Sequence, residues 1–211
     1  MKKLAILVLG VAGLLCACQN GRQGAVSGPI TTGDDCIVTI TSGQIRGYND
    51  DGIYTFKGVP YARAERFMPP QDPEPWEGVR KTLVYGPQAM QSQDMKWNGA
   101  PTDYDFGFQF KKELNSEDCQ MLNIWTPALD GRKRPVFVWF HGGGYANGSA
   151  IFLPAQEGRA LAEKGDIVVV TVNHRLNILG YIDLTALGGK YAESVNLGQQ
   201  DLVMDMEWVH H

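Results

Sequence analysis

Apolar and polar positions divide the first 120 residues into four stretches. Leu4 to Leu15 is an apolar run behind Lys2-Lys3. A run of about a dozen residues behind a positive start has the shape of a secretory signal peptide, and is too short to span a bilayer comfortably. Residues 19–34, rich in Gln, Asn, Gly, Ser, Thr and Asp, read as a flexible tether. The chain then alternates: Cys36 to Thr41 predicts a strand, Ser42-Gly43 a turn, and Gln44 to Tyr48 a returning strand. Asp50-Asp51-Gly52 predicts another turn, leading into a strand over Ile53 to Val59. This is an antiparallel hairpin or meander. Residues 60–120 carry Pro, Gly, Trp and polar residues with little periodicity, which predicts packed irregular structure with short helices.

Beyond residue 120 the apolar runs lengthen. Met121 to Thr126 is a strand candidate, and Pro135 to Phe140 is a continuous apolar run. Pro154 to Lys164 predicts a helix, with Pro154 at its start and Gly165 at its end. Asp166 to Val172 predicts a second buried strand. Two Val-rich strands separated by a helix form a βαβ unit, whose strands are covered on both faces. Leu202, Val203, Met206, Trp208 and Val209 suit an amphipathic helix over Gln199 to His211. That helix runs to the last residue without a cap, so we expect a domain cut mid-helix. The fold class is α/β: an antiparallel start, then a mostly parallel sheet with flanking helices, incomplete as given.

Composition narrows the function. The 211 residues suffice for one domain or part of a larger one, and 44% are hydrophobic, including five Trp, eight Tyr and eight Phe. A real core is therefore expected. With 19 basic and 23 acidic residues the formal net charge is −4. The short cluster Arg132-Lys133-Arg134 reads as a solvated loop, and no basic stripe exists, so nucleic acid is excluded as a partner. Leu15-Cys16-Ala17-Cys18-Gln19 resembles a bacterial lipobox, with Cys18 as the acylated residue, because Ala17 is small and Leu15 lies three before it. Cys16 has the bulky Leu15 directly before the cut. Gln19 is not the Asp that signals inner-membrane retention, so an outer-membrane lipoprotein is expected; cleavage without a lipid, giving a periplasmic or secreted protein, is the alternative. Cys36 and Cys119 could pair in an exported protein, but spacing does not fix their distance. No CxxC or Cys/His cluster supports a structural metal.

The chemistry sits in Phe137-Val-Trp-Phe-His141-Gly142-Gly143-Gly144-Tyr145. A buried strand opening into three glycines can turn successive backbone N–H groups toward a ligand. Donors held this way suit the oxygen of a tetrahedral intermediate, and losing one costs roughly 10²–10³ in rate. The His-Gly-Gly-Gly string has the form of the lipase and esterase oxyanion hole. The alternative is a glycine turn that merely lets a helix pack closely. Around it, in order, lie Gly43-Gln-Ile-Arg-Gly47, Phe56-Lys-Gly-Val-Pro-Tyr-Ala62, Arg66-Phe-Met-Pro-Pro70, Ser116-Glu-Asp-Cys119, Leu122-Asn-Ile-Trp-Thr-Pro127 and Val170-Thr-Val-Asn-His-Arg-Leu-Asn-Ile-Leu-Gly180. Together these resemble the type-B carboxylesterase family, which includes the cholinesterases, from about residue 36 to the end. The resemblance implies an α/β-hydrolase fold over 35–211 and serine hydrolysis of small carboxylic esters without a metal or organic cofactor. It also implies that Gly143 and Gly144 donate to the oxyanion, with His141 and Gly142 supporting the loop.

Departures from the family pattern matter. Its Gly-Pro-x-Cys-x-Gln motif appears as Gly86-Pro87-Gln88-Ala89-Met90-Gln91, so Ala89 stands where the family has the Cys that bridges to the Cys119 position. Asn196-Leu-Gly-Gln-Gln-Asp201-Leu202 matches Asn-x-Gly-x-x-Asp-Gln with Leu202 for Gln, which questions local hydrogen bonding. None of the six serines (27, 42, 92, 116, 149, 194) is flanked as Gly-x-Ser-x-Gly. The family's order of Ser, then Asp or Glu, then His places all three triad members downstream of His211. His141 and His174 are accordingly expected to be structural, and His210 and His211 not to act as the base. Tyr145, Trp97 and Tyr104 could line a substrate pocket or simply pack. Glu117 and Asp118 are implied to be structural partners of Arg and backbone. The expectation is a serine esterase as the full-length protein. The alternatives are a non-catalytic, cholinesterase-like binding module or an inactive truncated remnant.

Overall fold

The computed structural model describes residues 30–92 and 114–211. The signal peptide and lipobox (1–18) with Cys18, the first part of the tether, Trp97 and Tyr104 lie outside them. The opening segment forms β1 (Ile30–Thr31), β2 (Ile37–Ile40), β3 (Gly43–Arg46), β4 (Tyr48–Asp50) and β5 (Ile53–Pro60). β2 and β5 match the alternation, but the single returning strand expected over 44–48 splits into β3 and β4, which join different sheets, and β1 was not expected. β2 and β3 pair antiparallel, as do β4 and β5. Asp51 and Gly52, at φ 49° and 87°, supply the left-handed backbone that the tight β4–β5 turn needs. The tether expected over 19–34 gives way to the fold earlier than its composition suggests. β1 pairs with β4, and Arg46 donates to the Thr32 carbonyl (2.7 Å) and to Asp34 Oδ1 (2.8 Å).

Within the described part of 60–120 the chain forms short strands where short helices were expected: β6 (Val79–Lys81), β7 (Gln88–Ala89) and β8 (Asn115–Ser116). Next come β9 (Met121–Thr126), β10 (Val136–Phe140), α1 (Arg159–Gly165), β11 (Val168–Val172), α2 (Asn177–Tyr181) and α3 (Leu197–His210). The main sheet runs β1-β4-β5-β9-β11-β10. β10 and β11 are its parallel pair, with α1 as the crossover, and the other pairs are antiparallel. Its arrangement is that of the expected α/β hydrolase in its N-terminal part, with the antiparallel start extending through β9.

Both faces carry a core, as residues of alternate parity dictate. On one, Ile53, Trp125 and Val169 meet Ala162 of α1. On the other, Phe56, Val59, Leu122, Val170 and Val172 form a cluster against which Leu202, Met204, Trp208 and Val209 of α3 pack. β11 is Val-rich and buried, because β-branched side chains fit a pleated surface covered on both sides. β10 departs from that expectation. It is the sheet edge, and Val136, Phe137 and Trp139 remain about 40–50% exposed, by 47%, 41% and 41%.

Two helices differ in detail from the pattern. The one expected over 154–164 breaks into a 3₁₀ turn, Pro154–Gln156, and α1. Gly158, between them, lies so close to the sheet that a Cβ there would sit 2.6 Å from Trp125. Glycine is also a poor helix former. Asp166 caps the end of α1 in the left-handed region at φ 47°, and Arg134 Nε donates to its carboxylate at 2.8 Å. α3 matches the amphipathic prediction in extent, but its inner face also buries Asp201 and Asp205.

Candidate functional site

β10 delivers residues 141–148 to the end of the sheet beside α3. The backbone there is left-handed at three successive residues: Gly143 (φ 133°), Gly144 (62°) and Tyr145 (62°). At Gly143 the requirement is also steric, because a Cβ would fall 1.9 Å from the Asn147 carbonyl oxygen. Space beside Gly144 is open, so its glycine serves backbone conformation alone. The loop closes on itself through the Gly143 carbonyl, which accepts from the N–H groups of Ala146 (3.1 Å) and Asn147 (3.3 Å). Among the described residues no acceptor engages the N–H of Gly143 or Gly144. Both glycines line an open cleft of about 400 Å³ with His141, Tyr145, Asn147, His174 and Leu202.

The loop is anchored from three directions. The N–H of Asn177 donates to the Tyr145 carbonyl at 2.6 Å, from a backbone at φ 52°. Asn173 Oδ1 accepts from the N–H of Ala150 at 2.6 Å, while its Nδ2 donates to the Pro87 carbonyl at 3.0 Å. Gln91 grips Gly148 through both amide atoms. Beneath the loop the His141 and His174 rings stack at 4.6 Å. Burial lowers the basicity of both, and that of His174 is pushed down to about 3 by burial together with the neighbouring ring. The pair is neutral at pH 7. His141 Nδ1 meets the Gly142 carbonyl at 3.0 Å.

Sequence-predicted residues divide clearly between site and scaffold. Gly142, Gly143, Gly144, His141 and Tyr145 come together at the cleft. Tyr145, 59% exposed, leans on Tyr181 at 4.8 Å. His210 and His211 meet each other at the end of α3, outside the residues lining that cleft. Arg66 Nε donates to both Glu117 carboxylate oxygens, at 2.9 and 3.1 Å, and its Nη2 donates to Oε1, which keeps the Glu117 carboxyl below the usual range. The N–H of Asp118 donates to Ser116 Oγ at 3.1 Å. Leu202 lines the cleft and packs on the core. Its Asp201 neighbour retains the bonding that the Gln-to-Leu departure put in question: the Arg175 backbone N–H (2.9 Å), Nε (2.9 Å) and Nη2 (2.7 Å) all donate to that buried carboxylate. Cys36 and Cys119 are separate buried thiols. Ala89 and Cys119 share one small buried cluster with Leu176. Among the described residues no group of three or more His, Cys, Asp or Glu could hold a metal.

Sequence reasoning missed the anchors. Gln91, Asn173 and Asn177 lie inside recognised motifs, but nothing in their spacing says that they hold the glycine loop.

The carboxylesterase family model matches residues 34–211. The chain belongs to the carboxylesterase family. It is 32% identical over 180 residues to para-nitrobenzyl esterase of Bacillus subtilis, covering 82% of this chain and 34% of that protein. Phenmedipham hydrolase of Pseudarthrobacter oxydans is 37% identical over 180 residues, covering 82% and 33%. Among solved structures, an esterase from Clostridium hathewayi, described as hydrolysing aliphatic aromatic polyesters, superposes with a TM-score of 0.79 at 43% identity, covering 86% of this chain and 35% of that one. The chain thus spans about a third of the length of these carboxylesterase relatives.

Proposed function

We propose that this chain is the N-terminal portion of a serine carboxylic ester hydrolase, and that Gly143 and Gly144 are its oxyanion donors. The observation that carries the reading is the glycine loop: three successive left-handed residues at a cleft, with two N–H groups that no described residue engages. In the proposed reaction a serine hydroxyl oxygen attacks the ester carbonyl carbon and its proton passes to a histidine. The carbonyl oxygen takes up negative charge and accepts from Gly143 and Gly144. The alcohol leaves with the proton from histidine. Water, deprotonated by the same histidine, then attacks the acyl-enzyme and releases the acid. Serine, acid and histidine are assigned to polypeptide beyond His211, because no Gly-x-Ser-x-Gly occurs within the chain.

We further propose export, lipidation at Cys18 and an outer-membrane location, on the strength of the Leu15–Gln19 string. Under this reading residues 1–18 are the signal peptide and lipobox, the tether covers the residues before β1, and 35–211 belong to the hydrolase domain. The substrate class is small carboxylic esters. Labelling with a fluorophosphonate tests the functional reading. The longer polypeptide is labelled at a serine beyond residue 211, and the 211-residue chain is not. Serine labelling within this chain refutes the assignment of the nucleophile. A longer polypeptide that neither labels nor turns over p-nitrophenyl esters supports the binding-module alternative.

A further inference from the structure

The glycine loop leaves the β10–β11 ladder at one end, and of its three anchors only Gln91 engages both backbone groups of one loop residue. Gln91 Nε2 donates to the Gly148 carbonyl at 2.9 Å, and Gln91 Oε1 accepts from the Gly148 N–H at 2.7 Å. Two bonds to the N–H and C=O of one residue reproduce a rung of a β-ladder, so they fix both the position and the orientation of that backbone unit. Gly148, at φ 110°, lies directly against the start of the loop. A Cβ there would stand 2.4 Å from the Gly142 oxygen and 2.5 Å from His141 Nδ1. The placement of Gly148 therefore sets that of Gly142 and His141, the residues immediately before Gly143.

Gln91 is itself held from a separate part of the fold. Its Nε2 also donates to the Ala89 carbonyl at 3.1 Å. Its backbone carbonyl accepts from Asn115 Nδ2 at 2.6 Å, and Asn115 Oδ1 accepts from Gln88 Nε2 at 2.7 Å. Gln88 and Asn115 are partners in the β7–β8 pair. A chain of amides thus runs from that small sheet to the glycine loop, beside the position where Ala89 stands near Cys119.

We propose that Gln91 is a positioning residue for the oxyanion loop, clamping Gly148 so that Gly143 and Gly144 present their N–H groups in fixed directions. The catalytic part of this proposal rests on the ester-hydrolase reading; the clamp itself does not. Only a primary amide of this length both donates to Gly148 O and accepts from Gly148 N–H at every pH. Methionine fills the space and does neither. Glutamate does both only while its carboxyl is protonated, below about pH 4.3 if its pKa is ordinary.

Amide hydrogen exchange of the 211-residue chain tests the clamp through Ala146 and Asn147, whose N–H groups close the loop on Gly143. In Gln91→Met their exchange rises by about tenfold or more, as expected when two hydrogen bonds holding a segment are removed. The amides of β9 and β11 keep their protection. In Gln91→Glu the protection factors of Ala146 and Asn147 are near wild type at pH 3.5 and fall to the methionine level at pH 6. If only the Gly148 amide responds, or if the glutamate variant shows no pH dependence, Gln91 positions nothing and the proposal fails. In the longer, ester-hydrolysing polypeptide, Gln91→Met lowers kcat about tenfold or more with KM within twofold, the pattern of a lost transition-state interaction. An unchanged kcat overturns the catalytic role. Absence of ester hydrolysis by the wild-type polypeptide overturns the functional reading, while exchange still decides the clamp.

Discussion

Ala89→Cys should form a disulfide with Cys119, because the two positions share one buried cluster. Ala89 is 3% exposed and Cys119 fully buried, and the two belong to the same small cluster with Leu176. Positions 89 and 119 are 30 residues apart. Closing a loop of that size restricts the unfolded chain by roughly 3–4 kcal/mol at 25 °C on the chain-entropy relation, less any strain in the folded state. Burial pushes the Cys119 thiol well up, so little thiolate is available in the folded protein. The bridge should therefore form during refolding in a glutathione redox buffer, and only slowly after folding. Peptide mapping without reductant should link the peptide carrying position 89 to that carrying Cys119, leaving Cys36 free. Urea unfolding should then show a stability gain of roughly 2–4 kcal/mol that dithiothreitol abolishes. Free thiols at both positions after oxidative refolding would refute the placement of this segment. A bridge that lowers stability would refute the claim that the fold accommodates it unstrained.

Other outcomes follow from individual residues. Gly143→Ala should collapse the loop, because the new methyl meets the Asn147 carbonyl, whereas Gly144→Ala has open space and should cost about 1–2 kcal/mol of left-handed strain; thermal denaturation and exchange at Ala146 separate the two. Asp205 is buried with no hydrogen-bond partner for either carboxylate oxygen among the described residues, and burial pushes its pKa up to about 7. A folded pKa above the unfolded value means stability present at low pH and lost as pH rises from about 4 to 7, by up to roughly 4 kcal/mol. Asp205→Asn should flatten that profile in urea titrations, and an unchanged slope would refute the assignment. His174 runs the opposite way: its folded value of about 3 lies below the unfolded one, so its contribution is lost as pH falls below about 6.5, and exchange at the loop should rise there first. The open edge of β10, with Val136, Phe137 and Trp139 half-exposed, should make the 211-residue chain self-associate with rising concentration, and Trp139→Lys should suppress this in sedimentation velocity.

Period-two alternation located β2, β3 and β5 but ran β3 into β4, and apolar runs located β9, β10 and β11 within a residue or two, because side-chain burial is what those patterns encode. The same logic failed for the coverage of β10. An apolar run reports that a strand can be covered on both faces, not where it stands in the sheet, and β10 is an edge strand. The break at Gly158 escaped the helical pattern because its cause is a long-range approach to Trp125. At the site, His141 to Gly144 were legible as a motif, an apolar run opening into a His and three glycines, and they do line one cleft. Gln91 was not, as its significance depends on a contact 57 residues away with a backbone unit rather than with a side chain. Asp205 was hidden in the same way: it sits at helical spacing among apolar residues, where a polar residue ordinarily marks the solvent face.

The most direct test of the central claim is to read the coding sequence beyond the codon for His211. The account predicts an open frame carrying Gly-x-Ser-x-Gly, then an Asp or Glu, then a His. A stop codon at that point would contradict it, leaving a glycine loop with no nucleophile to serve.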